Sequence, residues 1–252
     1  KVEEPAAEYD NIADIAEDVE STIKGTVIAT YSKGFLVQDE TGMVLVYLNA
    51  AHEYVAGDVV TVNGVVTTYG GLLQFPKTSV VEKTGESATV EYPTATVMDG
   101  AALDAFLTAP VIQYVEYTGT LTINGSYYNV AVEGATTAMG SIQYPNTGLV
   151  TASTGDVVKV TGYTIGVSSS KYVNTMAVAV EVVEEAPDVE IPEYNVTEAL
   201  AAYVEGTPAQ VTVTGYIVGS VDSKVTNAAF GADATTKTNM LISDNPYTTD
   251  VT

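Results

Sequence analysis

The chain has 252 residues and no cysteine, which excludes a disulfide framework, a thiolate metal site and a cysteine nucleophile. Nine lysines stand against 32 acidic residues, no arginine is present, and the formal net charge is -23. Nucleic-acid backbones and anionic lipids are bound through clustered lysine and arginine. The composition therefore argues against nucleic acid as a partner, and no stretch is apolar over the length that a membrane-spanning helix needs.

The amino-terminal segment is predicted to lie outside the fold. Residues 1–8 (KVEEPAAE) contain neither an initiator methionine nor an apolar signal region. We expect this segment to be disordered and the protein to be exported, to the periplasm or the cell surface, with a lipid anchor on a removed leader as one route. Ile12, Ile15 and Val19 then recur at helical spacing, so residues 11–20 are predicted to form a short helix.

Residues 9–91 are predicted to form a first β-barrel. Runs rich in β-branched residues are separated by turn residues at 32–34 (SKG) and 39–42 (DETG). A fourth run begins at residues 57–64 (GDVVTVNG), and a last hairpin and closing strand follow it. Such runs, bounded by Gly and Asp, are typical of strands and hairpins. Five strands of this kind in a Greek-key barrel would be an OB-like fold.

Residues 92–186 are predicted to form a second OB-like barrel, introduced by a helix over residues 99–107. Asp99 precedes that helix as its N-cap. Asn-Gly at 124–125 stands between two alternating apolar runs, which predicts a hairpin with a type I′ turn.

An octapeptide supports the view that the two barrels are repeats. Residues 155–162 (GDVVKVTG) nearly copy residues 57–64 (GDVVTVNG) and differ at two positions. A repeat at this spacing indicates that one structural unit has been used twice.

Residues 187–252 are predicted to be a linker and a partial third OB-like unit. The stretch 181–192 is acidic and contains two prolines, which favours a linker. A third short helix is predicted over residues 196–204, with Asn195 and Glu198 at the spacing of a capping box. Two strands are expected after it, at 209–219 and 240–244. Because no third copy of the octapeptide follows, we expect the natural protein to continue past Thr252; the alternatives are that the partial unit is disordered or that another strand completes it.

The sequence resembles a known family. The progression through residues 25–64 resembles the tandem OB-fold domains of exported proteins and lipoproteins from gut-dwelling Gram-negative bacteria, which are mostly uncharacterised. Residues 194–200 (YNVTEAL) and 213–219 (VTGYIVG) are similar to another module of those proteins, in which a short helix precedes a strand. The resemblance implies the fold over most of the chain. OB-folds bind oligonucleotides or oligosaccharides on the face of strands two and three, so the fold does not select a ligand.

We predict that the chain is not an enzyme and needs no cofactor. His52 is the only histidine, which excludes a histidine-based triad or a multi-histidine metal site, and we expect it to be a solvated loop residue. Asp39 and Glu40 are adjacent in a tight hairpin and share solvent, whereas a catalytic pair needs separate environments. Asp39, like Asp244, is predicted to make a turn hydrogen bond.

A calcium site is a minor alternative, because carboxylates are the ligands that calcium prefers. The candidate ligands lack the regular spacing of an EF-hand loop, so we predict no metal site. They are Asp233, Asp244 and Asp250, or Asp39 with Glu40.

Tyrosine is the feature that points to binding. The chain has 17 tyrosines, four phenylalanines and no tryptophan. Exposed tyrosines on a β-sheet face stack on sugars or bases, although tyrosine is also an ordinary strand residue. Without arginine, such a face suits a neutral glycan better than a polyanion. The predicted ligand-binding residues are Tyr31, Phe35, Tyr47, Tyr69 and Phe75.

The sequence therefore predicts an exported binding or adaptor module whose partner is a glycan or another protein, with the oligomeric state left open. One alternative is a nucleic-acid-binding OB-fold, which would need a local cluster of Lys24, Lys33, Lys77 and Lys83. A second alternative is an accessory region of a hydrolase whose catalytic domain lies beyond Thr252.

Overall fold

The computed structural model describes residues 8–185, 193–202, 212–222, 227–234 and 239–248. The described chain is mostly β-strand. It divides into two compact units, residues 1–187 and 188–252. Of the predicted disordered segment, residues 1–7 lie outside the described residues.

The first unit begins with a sheet of seven strands. They are β1 (Glu20–Tyr31), β2 (Gly34–Gln38), β3 (Met43–Tyr47), β4 (Asp58–Val65), β5 (Thr67–Tyr69), β6 (Leu72–Phe75) and β7 (Val80–Ser87). β1, β2 and β3 form an antiparallel meander, β1 also pairs with β4, and β3 pairs with β6 in parallel. The turns predicted at 32–34 and 39–42 separate the first three strands as expected, so that prediction is confirmed.

The helix predicted over residues 11–20 is wrong. Only Ile12–Asp14 is helical, as one 3-10 turn. Ile12 and Ile15 are buried in the core of the first sheet, but Val19 is half exposed and does not continue an apolar face. The carboxylate of Asp39 accepts a hydrogen bond from the Ile12 N–H at 2.8 Å, so the short turn is held by the β2–β3 hairpin.

A second sheet occupies the rest of the first unit. Its elements are β8 (Thr96–Val97), α1 (Gly100–Phe106), β9 (Tyr114–Asn124), β10 (Tyr127–Ala131), β11 (Met139–Ile142), β12 (Val157–Ser168) and β13 (Tyr172–Glu184). Five strands pair in a closed ring: β9 with β10, β10 with β11, β11 with β13 in parallel, β13 with β12, and β12 with β9. The three-strand meander, its antiparallel fourth strand and the parallel partner of its third strand recur from the first sheet, where the strand order is open.

The repeated octapeptide has the same structural role in both sheets. Gly57 and Gly155 have φ values of 99° and 100°, a region that favours glycine. Each donates its N–H to the first strand of its sheet, to the carbonyls of Val27 and Leu121, both at 2.8 Å. The following valine-rich runs are β4 and β12, each paired with that first strand. The octapeptide therefore marks where the chain turns into the fourth strand.

Helix α1 confirms the helix predicted over residues 99–107. The Asp99 side chain accepts a hydrogen bond from the Ala102 N–H at 2.8 Å, as expected of an N-cap. Asp104, on the helix, accepts hydrogen bonds from the N–H groups of Thr136, Thr137 and Ala138 and from the Thr136 hydroxyl, at 2.7–2.9 Å. The helix is thereby fixed to the loop before β11.

Two local predictions need correction. The β9–β10 hairpin exists, but Asn124 pairs with Tyr127, so Gly125 and Ser126 form its tip. Only Gly125 has a positive φ, of 59°, which corresponds to type II′ rather than type I′. The linker predicted over residues 181–192 starts too early, because β13 continues to Glu184 by pairing with β12. Residues 186–192 lie outside the described residues.

The two sheets share a core. Ile28 and Leu36 of the first sheet and Tyr163 and Met176 of the second belong to one cluster of buried side chains, each at most 5% exposed. Each sheet also has a core of its own. The first sheet is therefore covered on both faces along β2, where Phe35 lies in the sheet's own core and Leu36 in the shared core.

The second unit contains two small sheets. Its elements are β14 (Glu193–Asn195), α2 (Val196–Ala202), β15 (Thr212–Thr214), β16 (Tyr216–Val221), β17 (Ala228–Phe230) and β18 (Met240–Ser243). β14 pairs with β15 in parallel, and β16 lies between β17 and β18. The capping box is confirmed, since Asn195 and Glu198 exchange hydrogen bonds of 2.8 and 2.9 Å. Residues 203–204 of the predicted helix and 209–211 of the predicted strand lie outside the described residues.

Asp244 in the second unit and Asp39 in the first unit make similar hydrogen bonds to the backbone of a helical segment. It follows β18 and accepts hydrogen bonds from the N–H groups of Val196 and Thr197, at 2.6 and 2.8 Å. Asp39 follows β2 and accepts from the Ile12 N–H. In both cases a carboxylate that follows a strand accepts hydrogen bonds at the start of a short helical segment.

Replacing Asp104 by asparagine should lower the free energy of unfolding at pH 7. Hydrogen bonds from Ala138, Thr136 and Thr137 hold the pKa of Asp104 well below its usual 3.8. A lowered folded-state pKa gives stability that is present above the unfolded pKa and lost as the pH falls through the folded one. Urea unfolding should therefore show a deficit for D104N at pH 7 that shrinks near pH 2, whereas the exposed Glu133→Gln change should have little effect. A deficit that does not depend on pH would contradict this.

Candidate binding cleft

A cavity of about 160 Å³ lies between the first and second sheets, inside the unit that spans residues 1–187. We call it the tyrosine cleft. None of its nine lining side chains, all of them in the described part of the chain, carries a charge at neutral pH. They are Tyr31, Leu45, Tyr47, Tyr69 and Gln74 on the first sheet's side, and Gln143, Tyr144, Ile165 and Asn174 on the second sheet's side.

Hydrogen bonds between the two sheets hold one end of the cleft. The Ser32 N–H, in the turn after β1, donates to the carbonyl of Tyr144 at 2.9 Å. The amide Nδ2 of Asn146 donates to the carbonyl and the hydroxyl of Thr30, at 3.0 and 3.1 Å. The turn after β1 and the loop after β11 are thus joined.

The β5–β6 hairpin is held against the second sheet in the same way. The Val167 N–H, on β12, donates to the carbonyl of Gly70 at 2.9 Å. Tyr69 stands beside this contact and lines the cleft with a side chain that is 57% exposed. The opposing walls of the cleft are therefore fixed relative to one another by backbone contacts.

Tyr144 is held in a costly backbone conformation at the rim. Its φ is 38°, in the left-handed region that bulky residues rarely adopt. Such strain costs on the order of 1–3 kcal/mol and is concentrated at functional sites. The carbonyl of Tyr144 is fixed by Ser32, and its ring centroid lies 6.0 Å from that of Tyr31. The strain therefore places an aromatic ring at the mouth of the cleft.

Two tyrosine hydroxyls of the cleft, those of Tyr31 and Tyr47, are held in the neutral form. Burial, together with the neighbouring phenols of Tyr47, Tyr144 and Tyr69, raises the pKa of Tyr31 far above its usual range. Burial also raises the pKa of Tyr47, with smaller contributions from Tyr144 and Tyr69. The phenols of Tyr31 and Tyr47 therefore stay protonated in the physiological pH range, and a protonated phenol can both donate and accept hydrogen bonds.

Two side-chain amides form the polar part of the second sheet's wall. The Nε2 of Gln143 donates to the hydroxyl of Ser141 at 2.9 Å and to the Oδ1 of Asn174 at 3.0 Å. The Ser168 hydroxyl donates to the same Oδ1 at 2.9 Å. Asn174 is only 3% exposed, so a buried amide with a fixed orientation faces the cleft.

This arrangement suits a small neutral molecule with polar edges. Aromatic rings offer flat apolar contact, and amides and phenols offer directional hydrogen bonds. A phosphate group would find no cation in the cleft. Elsewhere on the first sheet, Lys24 and Lys83 are paired with Glu86 and Asp58 at 2.8 and 2.7 Å, which weakens the lysine surface that the nucleic-acid alternative requires.

Three of the five predicted ligand-binding residues lie together in the cleft, and two do not. Tyr31, Tyr47 and Tyr69 line it. Phe35 and Phe75 have no exposed surface and belong to the first sheet's own core, so we remove both from the candidate site as a correction. Phe35 pairs with Thr30, the neighbour of Tyr31 on β1. Because neighbouring strand residues face opposite sides of a sheet, Phe35 points away from the cleft that Tyr31 lines.

The amides of the cleft were missed by sequence reasoning. Gln143 and Asn174 come from the second sheet, and nothing in the sequence shows which faces of two sheets meet. Tyr144 was not among the predicted ligand-binding residues. One usable signal existed, because Asn174 is a polar residue inside a strand of apolar neighbours (YVNTMAV), and such a residue needs a partner.

His52 is a bridging residue rather than the solvated loop histidine that we expected. Its Nε2 lies 2.8 Å from the carbonyl of Tyr31 and 2.9 Å from that of Gly34, and its Nδ1 accepts from the Tyr54 N–H at 3.2 Å. This pattern assigns the proton to Nε2. His52 thereby ties the loop before β4 to the turn between β1 and β2.

Two of the carboxylates considered for catalysis and calcium, Asp39 and Asp244, have structural contacts. The predicted turn hydrogen bond of Asp39 is confirmed, since its Oδ1 accepts from the N–H groups of Thr41 and Gly42 at 2.7 and 2.8 Å. Asp244 holds the start of α2. Among the described residues, which do not include Asp250, no group of three or more His, Asp or Glu side chains could hold a metal ion.

Comparison with known families finds a match over one part of the chain. Residues 194–252 match a family model described as a domain of unknown function, DUF6359. No curated protein matches the chain. Within the described residues, no helix has the length and apolar character needed to cross a membrane.

Two solved structures are similar to part of this chain. A murine DNA-binding protein bound to double-stranded DNA is 13% identical, with a TM-score of 0.35, and the match covers 66% of this chain and 96% of that one. A structure described as "Structural mimicry for functional antagonism" is 10% identical, with a TM-score of 0.34, over 63% of this chain and 89% of that one. TM-scores this low carry no argument about fold or function.

Alanine substitutions should separate the core from the cleft. Phe75→Ala should lower the free energy of unfolding by about 3–5 kcal/mol, because it empties a fully buried site. Tyr69→Ala should cost less than about 1 kcal/mol, because most of that side chain is already exposed. Urea denaturation followed by circular dichroism would measure both. Equal losses would mean that Tyr69 belongs to the core and not to an accessible wall.

Proposed function

We propose that this protein is an exported, non-enzymatic binding module that holds a neutral saccharide in the tyrosine cleft. The observation that carries the proposal is the lining of the cleft, which combines four tyrosines and three side-chain amides with no charged group in the described chain. Sugars present apolar C–H faces and a rim of hydroxyls, and this lining offers a complement to both.

The aromatic wall would provide the contact area. Tyr47 and Tyr69 stand on the first sheet's side and Tyr144 on the second sheet's side. Tyrosine rings bury a large apolar surface while keeping a polar end available for hydrogen bonds. A sugar ring between these walls would stack on phenol faces from both sheets.

The topology supports OB-like units as the scaffold. In each sheet of the first unit a three-strand meander is joined by an antiparallel fourth strand, and the third strand has a parallel partner. In the second sheet the pairings close into a ring. OB-folds bind ligands on the face of strands two and three, and Leu45 and Tyr47 of the cleft lie on β3.

The absence of a catalytic step is part of the proposal. A hydrolase would need a nucleophile or a pair of acid and base groups near its substrate. In the described chain the cleft lining includes no carboxylate, lysine, histidine or cysteine. The export of the chain stays a prediction from its sequence.

A glycan array followed by calorimetry tests the proposal. The array carries neutral glycans, acidic glycans and single-stranded oligonucleotides, and it is probed at low and physiological salt. We expect capture of neutral glycans that does not change with salt, because no phosphate contacts release counterions. Binding to oligonucleotides that weakens as the salt concentration rises would contradict this proposal and favour the nucleic-acid alternative. No binding to any spot would also contradict it and would favour a protein as the partner.

A tyrosine pair provides the matched control. Tyr47→Ala should weaken binding of the captured glycan by about tenfold or more, since stacking on one aromatic ring contributes on the order of 1–3 kcal/mol. Tyr127→Ala should leave the affinity unchanged, because Tyr127 is 67% exposed on β10 and does not line the cleft. Equal effects of the two substitutions would place the glycan outside the cleft.

A further inference from the structure

We propose that Asn174 and Gln143 are the specificity-determining residues of the tyrosine cleft, and that they recognise two adjacent hydroxyls on a single sugar ring. This inference rests on the proposed function and adds to it the size of the ligand and the two side chains that distinguish its hydroxyls. It is carried by the hydrogen bonds, the burial and the volume of the cleft.

The volume limits the ligand to one ring. The cleft measures about 160 Å³. Pockets for drug-sized ligands are larger, about 300–1,000 Å³. A single hexose unit, at the end of a chain or free, is therefore the largest saccharide part that the cleft encloses, and further units would extend into solvent.

The orientation of Asn174 is fixed by its acceptor. Among the described residues, both hydrogen bonds of its side chain use Oδ1, which accepts from Gln143 and Ser168. Nδ2 is therefore the group that remains to donate to a ligand. Asn174 as a whole is only 3% exposed, so the cleft is the side from which a ligand hydroxyl can reach this donor.

In Gln143 it is the donor that is used within the protein, whereas in Asn174 it is the acceptor. Its Nε2 has two N–H groups, and they are directed to Ser141 and Asn174. Oε1 therefore remains to accept a hydrogen bond from a ligand. The two amides, joined by a contact of 3.0 Å, present one donor and one acceptor side by side. Adjacent ring hydroxyls can satisfy this pair, because each hydroxyl both donates and accepts.

The pair is held by the sheet itself. Ser141 and Asn174 are register partners in the parallel pairing of β11 with β13. The Gln143 N–H donates to the carbonyl of Thr175 at 2.9 Å. Both amides thus stand on backbone that is fixed by strand pairing, and binding groups on such elements hold their geometry better than groups on loops.

The two walls then have different tasks. The first sheet's side brings Tyr31, Tyr47 and Tyr69, which contact a ring without regard to the arrangement of its hydroxyls. The second sheet's side brings Asn174 and Gln143, whose hydrogen bonds depend on where two hydroxyls stand. Affinity would come mainly from the first wall and selectivity among hexoses from the second.

Calorimetry with defined sugars tests the assignment. The probes are methyl glycosides of glucose, galactose and mannose, the monodeoxy derivatives of the best binder, and adenosine as a neutral ring of another class. Removing either of two adjacent hydroxyls should weaken binding to the wild type by about tenfold, and removing the others should change it little. The Tyr47→Ala variant should weaken all the sugars by a similar factor.

The Asn174→Asp variant provides the second arm. It keeps the acceptor for Gln143 and Ser168 but replaces the Nδ2 donor with an acceptor oxygen. Its affinity for the best binder should fall by about tenfold or more, and it should no longer distinguish that sugar from the matching deoxy derivative. Asn129→Asp, on β10 and outside the cleft lining, is the matched control and should bind as the wild type does.

The outcomes separate the two proposals. Equal binding of all the monodeoxy derivatives to the wild type would overturn the assignment of Asn174 and Gln143 and leave the cleft as a saccharide site. That measurement needs no variant, so it stands even where N174D does not fold. Wild-type protein that binds no hexose would overturn both proposals, and preference for adenosine would replace the saccharide by a nucleobase.

Discussion

The packing of one β-sheet against another is the interaction on which the rest of this molecule depends. Ile28 and Leu36 meet Tyr163 and Met176 in a core that belongs to neither sheet alone. Burial of apolar surface, at about 25 cal/mol per Å², is the main force available to join two such faces. The tyrosine cleft lies at the edge of this contact, where the surfaces diverge and polar side chains replace apolar ones. Without the shared core, the cleft would be two separate open surfaces.

The sheets themselves are organised by a small amount of local chemistry that recurs along the chain. A glycine of positive φ and a following aspartate turn the chain into the fourth strand of each sheet, and the side chains of Asp58 and Asp156 close the loop onto the N–H groups of Val55 and Ser153, at 2.9 and 2.7 Å. Carboxylates also fix the 3-10 turn at Ile12–Asp14, α1 and α2 to neighbouring segments of the chain. The loop contacts join residues three apart in the sequence, and each helix contact needs only one carboxylate. Such contacts can recur along the chain even where the strand sequences differ.

Only the contacts between residues close together in the chain could be predicted from the sequence. The turns, most strands, the cap of α1 and the capping box of α2 follow from residues close to one another in the chain. The helix predicted at 11–20 failed because a three-residue spacing of Ile12 and Ile15 also fits a 3-10 turn. Only part of the site could be predicted. Tyr31 and Phe35 are both aromatic strand residues, and β2 is buried on both faces. The alternation of apolar and polar residues therefore could not show which aromatic side chain lines a cleft and which lies in a core. Asn174 and Gln143 depend on how two distant segments dock, which no local pattern encodes.

The division of the cleft between two sheets has a thermodynamic consequence for the molecule as a whole. A ligand that contacts both walls must leave before the sheets can separate, so its binding adds to the free energy of that separation. By mass action the addition is RT ln(1 + [L]/Kd), about 2.7 kcal/mol at a ligand concentration one hundred times Kd. That increment is comparable to the loss of a large buried side chain. An occupied cleft would act as a clasp, making the paired sheets harder to pull apart in the presence of the ligand than in its absence.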